Sequence, residues 1–170
     1  MSKIYLVLFL VFSISLGSCK KCKEKDCQNG ASCSLLNNEA VCACDEFYIG
    51  DRCDTETRET YVGVYNGTPV ITIGGVDFNG NNTEYVLEKN GGEISKFKIS
   101  STDTNNTTQY FCKLTSDTDF TIENVDVSNG STTISGSGTI STTNFRMSGS
   151  ITQTGNGGTV SGTFVIQGYK

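Results

Sequence analysis

Seven of the eight cysteines lie between Cys19 and Cys53, and the rest of the 170-residue chain holds only Cys112. Six of the seven follow the spacing C-x4-C-x5-C-x8-C-x1-C-x8-C from Cys22 to Cys53. A segment of that size is too short to bury a useful core, so disulfides or a metal must supply the missing stability. Zinc fits poorly, because the cysteines form no paired C-x2-C hooks and the chain contains no histidine. The segment therefore reads as a disulfide framework. Six cysteines allow 15 connectivities, and spacing alone does not choose among them.

The segment ahead of this framework favours an oxidising destination. Lys3 supplies a positive start, and Ile4–Leu16 is an apolar run of signal-peptide length, well short of the roughly 20 residues that span a bilayer. Residues 1–18 are expected to be a signal peptide. Leu16-Gly17-Ser18-Cys19 resembles the bacterial lipoprotein signal. The resemblance implies lipid, palmitate included, on Cys19 and an anchor in the cell envelope, expected at the outer membrane. Ordinary secretion is the alternative, since Ser15-Leu16-Gly17 also satisfies a small-x-small rule. Residues 19–21 are expected to form a tether, and Lys20, Lys21, Lys23 and Lys25 read as a solvated stretch diluted by Glu24 and Asp26.

Residues 22–53 resemble an epidermal-growth-factor-like (EGF-like) module. The resemblance rests on the spacing, on Asn29-Gly30 between the second and third cysteines, on Cys42-x-Cys44 and on Tyr48-Ile49-Gly50. It implies the pairing Cys22–Cys33, Cys27–Cys42 and Cys44–Cys53, each bridge contributing about 2–3 kcal/mol on the chain-entropy model. Phe47 stands where that family usually carries glycine, which suggests a different backbone at the last turn or an exposed aromatic contact. Lys20-Lys21 replaces the acidic signature of its calcium-binding members, so calcium is not expected. The module reads equally as a rigid spacer or as a protein-binding knob that uses Phe47, Tyr48 and the loop between Cys33 and Cys42.

Residues 54–60 (DTETRET) read as a polar linker, and from residue 61 the composition changes. Residues 55–170 hold 22 Thr and 16 Gly, a mixture that suits pleated strands separated by turns. Phe145, Met147, Gly149 and Ile151 alternate on one face, as do Val160, Gly162, Phe164 and Ile166. The run Gly155-Asn156-Gly157-Gly158 between them predicts a hairpin. Similar runs at 61–65, 70–73, 84–88, 94–100, 108–115, 120–127 and 132–141 predict eight or nine short antiparallel strands. With one face apolar and the other rich in Ser and Thr, such a sheet must close into an up-and-down β-barrel or fold into a β-sandwich. The barrel is preferred. The opening Tyr61-Val62-Gly63-Val64-Tyr65 loosely resembles the first strand of lipocalin-like domains of bacterial lipoproteins. The fold class is thus mainly β: a disulfide-rich EGF-like module followed by an antiparallel β domain over 61–170.

Composition limits the chemistry. Without histidine there is no Ser-His-Asp or Cys-His pair and no imidazole acid or base near neutral pH, so no enzyme, cofactor or metal is expected. A net charge of −5 argues against nucleic acid as a partner. Cys112 is in phase with Tyr110 and Leu114 and reads as a buried core residue. Asp77, Asn79, Asn81 and Glu88 occupy positions 1, 3, 5 and 12 of a calcium loop, but Asn82 replaces the essential glycine, so they read as a turn. Asp117 and Asp119 read likewise. The expected function is non-catalytic binding or adhesion at the envelope, toward an unidentified protein or glycan. Binding or transport of a small apolar ligand inside the barrel is the alternative. A filled interior favours the first, whereas an aromatic-lined cavity of about 300 Å3 or more favours the second.

Overall fold

The computed structural model describes residues 20–103, 106–127, 132–155 and 157–170. Cys19 and the signal segment lie outside the described residues. The chain divides into two compact units, with the division after Glu56.

In the first unit a short helix over 20–25 precedes two small ladders. Strands β1 (Ser32–Leu36) and β2 (Glu39–Ala43) form a hairpin. Its turn places Asn37 at φ 50° and Asn38 at φ 67°, the left-handed pair that a two-residue hairpin loop demands and asparagine tolerates. Cys33 and Cys42 face each other across this hairpin, yet each bonds elsewhere. The disulfides are Cys22–Cys33, Cys27–Cys42 and Cys44–Cys53, the pairing implied by the EGF-like resemblance. β3 (Tyr48–Ile49) pairs with β4 (Thr55–Glu56). Lys25 pairs with Asp51 and Arg52 with Asp26, and Lys21 donates to the Asn38 carbonyl at 2.6 Å. Two of the four lysines are thereby engaged within the unit.

The second unit is a closed eight-stranded antiparallel barrel. Its strands are β5 (Gly63–Ile73), β7 (Thr83–Lys89), β8 (Lys96–Asp103), β9 (Asn106–Leu114), β10 (Asp119–Val127), β11 (Thr132–Ile140), β12 (Asn144–Gly155) and β13 (Gly158–Tyr169). Neighbours in sequence pair with neighbours in space, and β13 returns to β5 through Thr163↔Thr72 to Tyr169↔Asn66, which closes the sheet. A ninth strand, β6 (Val76–Asn79), folds back on the far half of β5 and leaves the circle of eight intact. The runs at 61–65 and 70–73 are therefore parts of one strand. Asn66-Gly67, a dipeptide that between those two runs reads as a turn, lies in its middle, with Gly67 opposite Gly168.

Alternation decides which side chains point inward. Tyr65, Tyr85, Leu87, Phe97, Ile99, Leu114, Phe120, Phe145 and Met147 are all almost wholly buried. The aromatic rings meet edge to face: Phe145 lies 5.5 Å from both Tyr65 and Tyr85, and Phe97 lies 5.2 Å from Phe120. Such pairs add about 0.5–1.5 kcal/mol beyond burial. Glycine is required where large rings and close strands meet. Gly149 faces Gly136 across β11 and β12, and a Cβ at Gly149 would lie 1.9 Å from the Ser135 carbonyl oxygen.

Candidate functional site

One end of the barrel is plugged by the segment 57–61. Thr57–Tyr61, the last four residues of the run expected as a linker and the first of the run expected as a strand, forms a 3-10 helix with Thr57, Arg58 and Tyr61 buried. Arg58 is 3% exposed, and its Nη1 donates to the carbonyls of Gly91, Glu93 and Lys96 at 3.2, 2.6 and 2.7 Å. These bonds engage one end of the guanidinium and tie the plug to the β7–β8 turn, since burial of a charge requires partners. The Tyr61 hydroxyl donates to the Asp117 carbonyl, and the Tyr65 hydroxyl donates to the Tyr61 carbonyl at 2.9 Å. Lys170 closes the seam by donating to the Val62 carbonyl at 3.0 Å.

Toward the other end the interior opens into a cavity of about 230 Å3. Pro69 and Ile71 of β5, Ile134 of β11, Ile151 of β12 and Phe164 and Ile166 of β13 form an apolar wall. Thr83 and Tyr85 of β7, Ser101 of β8, and Thr108 and Tyr110 of β9 form a hydroxyl-bearing wall. No lining residue carries a formal charge. Two phases of one pattern produce this division: the inward positions of β7–β9 change from large apolar residues near the plug to Ser, Thr and Tyr farther along.

Tyr110 is 7% exposed and lines the cavity. Its hydroxyl has no hydrogen-bond partner among the described residues, yet it is not fully enclosed, since Ser100 Oγ is the one fully enclosed side-chain polar atom without a partner among those residues. The group therefore opens onto the cavity. Burial, and then the neighbouring Cys112, push the Tyr110 phenol up to about 12, so it is a neutral donor at physiological pH.

Cys112 is buried, unpaired and 3.7 Å from the Tyr110 carbonyl. Burial first, and the Glu123 charge second, push its thiol well above the usual range. A thiol held protonated in this way is a packing group and a poor nucleophile. Asp77 accepts from the Thr72 hydroxyl at 2.7 Å within the β5–β6 hairpin, and Asp119 accepts from Ser116 at 2.6 Å in the β9–β10 turn. Both act in turns. No group of three or more Cys, Asp or Glu positioned for a metal occurs among the described residues.

In the first unit Phe47 and Tyr48 are adjacent and half-buried. Phe47 has φ 66°, so the backbone keeps the left-handed conformation a glycine would adopt, and a bulky residue bears it at a cost of about 1–2 kcal/mol. Exposed Leu36 and Val41 on the β1–β2 hairpin give this unit a second apolar surface. Among the described residues no helix is long and apolar enough to cross a membrane. Set against protein-family models, curated proteins and solved structures, the chain matches none of them.

Arg58, Tyr110 and the cavity wall were not singled out by sequence. Arg58 stands in a polar run whose burial depends on barrel closure. Tyr110 carried a weak signal, an aromatic in phase with Cys112 but preceded in the same phase by the hydroxyl residue Thr108.

Proposed function

We propose that the chain is a non-catalytic binding protein of the bacterial cell envelope, held by lipid at Cys19, with the EGF-like module as a stapled stalk and the barrel as the part that binds. The observation that carries this reading is the division of the barrel interior into an aromatic-packed end and an apolar cavity of about 230 Å3. Protein interiors normally close such space, because unfilled volume forfeits dispersion contacts. An apolar pocket with a few convergent polar groups is the ordinary form of a small-molecule site. The cavity falls below the roughly 300 Å3 taken above as the mark of an apolar-ligand site, so the occupant is small or only partly enclosed. The lipoprotein-like Leu16-Gly17-Ser18-Cys19 supports the anchor, and the absence of histidine supports a non-catalytic role.

A second reading, adhesion to a protein through the first unit, is supported by Phe47. An aromatic kept at positive φ, where glycine would be strain-free, is the kind of outlier retained for contact.

Two measurements test the main reading. Intact-mass analysis of the protein from a bacterial envelope fraction is expected to show acylated Cys19, and Cys19→Ser to release it into the soluble fraction; an unmodified chain beginning at Ser18 refutes the anchor. Benzyl alcohol is expected to raise the melting temperature by mass action, and Ile151→Trp, which fills the cavity, to abolish the rise. No shift with any small neutral apolar compound refutes the binding role.

A further inference from the structure

The cavity continues onto an exposed apolar lip. Ile71, which lines the cavity, faces Phe78 across β5 and β6, and Ile73 faces Val76 one step farther out. Phe78 is 55% exposed and Val76 57% exposed. On the adjoining strand Val160 is 52% exposed and shares the inward phase of Gly162 and Phe164. A Cβ at Gly162 would come within 3.0 Å of Ile73, so this strand lies directly beside the hairpin. The lip extends the apolar wall of β5 and β13, while the hydroxyls of Thr83, Ser101, Thr108 and Tyr110 lie on the opposite wall.

We infer that this site takes a linear aliphatic molecule with an uncharged oxygen headgroup, a long-chain alcohol or carbonyl compound, its headgroup inside against Tyr110 and its tail lying outward along the Ile73, Val76, Phe78 and Val160 lip. The inference rests on the binding role proposed above and specifies its ligand. A cavity of about 230 Å3 holds roughly eight water-sized groups, enough for a headgroup and the first part of a chain. The lip covers what protrudes. The unpartnered Tyr110 hydroxyl needs an oxygen partner, since burying a hydroxyl without one is costly. A carboxylate headgroup is disfavoured, because no lining side chain is cationic and a buried unpaired charge is far more costly than a buried neutral oxygen.

The test is a calorimetric titration of the full-length protein with primary alcohols from hexanol to dodecanol, with dodecanoate at pH 8, and with 1-chlorooctane. Affinity is expected to rise about fourfold per methylene, and to continue rising beyond eight carbons because of the lip. Dodecanoate is expected to bind at least tenfold more weakly than dodecanol. Tyr110→Phe keeps the ring and removes the hydroxyl; it is expected to weaken the alcohols about tenfold and leave 1-chlorooctane unchanged. Phe78→Ser, at an exposed position, is expected to flatten the gain beyond eight carbons and leave hexanol unaffected. Dodecanoate binding as tightly as dodecanol, or alcohol affinity untouched by Tyr110→Phe, overturns the inference. If the alcohols fail and benzyl alcohol still raises the melting temperature, the chain-shaped ligand alone is refuted. If neither binds, the binding role falls with it.

Discussion

Gly149→Ala adds a single methyl group to the second unit, and the structure specifies what that methyl meets. The new Cβ would stand 1.9 Å from the Ser135 carbonyl oxygen, 2.7 Å from Gly136 Cα and 2.8 Å from the Ser135 carbonyl carbon, whereas ordinary contact begins at 3.4 Å. All three obstacles are backbone, so no side chain can swing aside. β11 and β12 must separate locally, and both are held in register from Thr132↔Gln153 to Ile140↔Phe145. Overpacking of this kind costs about 1–3 kcal/mol, and each ladder hydrogen bond weakened by the separation costs up to about 1 kcal/mol more. Reduced freedom of the unfolded chain returns about 0.4–1 kcal/mol. The expected net loss is about 2–4 kcal/mol, a fall of roughly 10–20 °C in melting temperature for a unit of this size. The assay is urea denaturation followed by tyrosine near-ultraviolet circular dichroism, with the disulfides intact. Gly92→Ala is the control: nothing lies within 4 Å of its Cβ and its φ is not positive, so it is expected to be neutral or up to about 1 kcal/mol more stable. A Gly149→Ala midpoint matching the parent, or an equal loss at Gly92, refutes the close-approach argument.

Three further outcomes follow from the plug, the thiol and the first unit. Arg58→Met leaves the Gly91, Glu93 and Lys96 carbonyls without their guanidinium donor and is expected to cost about 3 kcal/mol; a thermal melt showing a loss under 1 kcal/mol refutes the role of the plug. Cys112 and Tyr110 both have raised folded pKa values. Each therefore keeps its proton in the folded state after the unfolded chain has lost it, and stability falls as pH rises past about 9 for the thiol and about 10 for the phenol, by up to 1.4 kcal/mol per pH unit per group. Denaturation midpoints across pH 7–11 check this sign, and Cys112→Ala is expected to remove the part that begins near pH 9. Phe47→Gly is expected to preserve the three bridges and to make the first unit as resistant to reduction as the parent or more so, because it relieves left-handed strain; a loss above about 1 kcal/mol means that the contacts of the ring outweigh the strain.

The alternation of Phe145, Met147 and Ile151 against Phe164 and Ile166 was legible because period-2 patterning and an Asn/Gly turn are local signals, and β12 and β13 form that hairpin. Barrel over sandwich was legible less directly, through the need to cover one apolar face. Asn66-Gly67 misled, since the same dipeptide that makes tight turns also permits the close β5–β13 approach, where a Cβ at Gly67 would lie 2.2 Å from the Gln167 carbonyl oxygen. The polar run 54–60 concealed both a strand pairing and a buried arginine, because the burial of Arg58 comes from carbonyls more than thirty residues away. The cavity had no sequence signature, as it depends on which inward positions share a level once the sheet has closed.

Closure through β13 also sets an order of assembly. Asn66, already opposite Glu84 of β7, finds its second partner only when Tyr169 is present, and until then the β13-facing edge of the Asn66–Thr72 stretch of β5 and the facing side of β12 expose unpaired backbone groups. Loop-closure entropy makes such distant pairing slow, and exposed edges recruit other chains. A chain emerging N-terminus first would have its disulfide unit stapled while the barrel remained an open ribbon. The period of greatest vulnerability to aggregation therefore falls between the formation of β12 and the arrival of the last strand, which is when a chaperone would have most effect on yield.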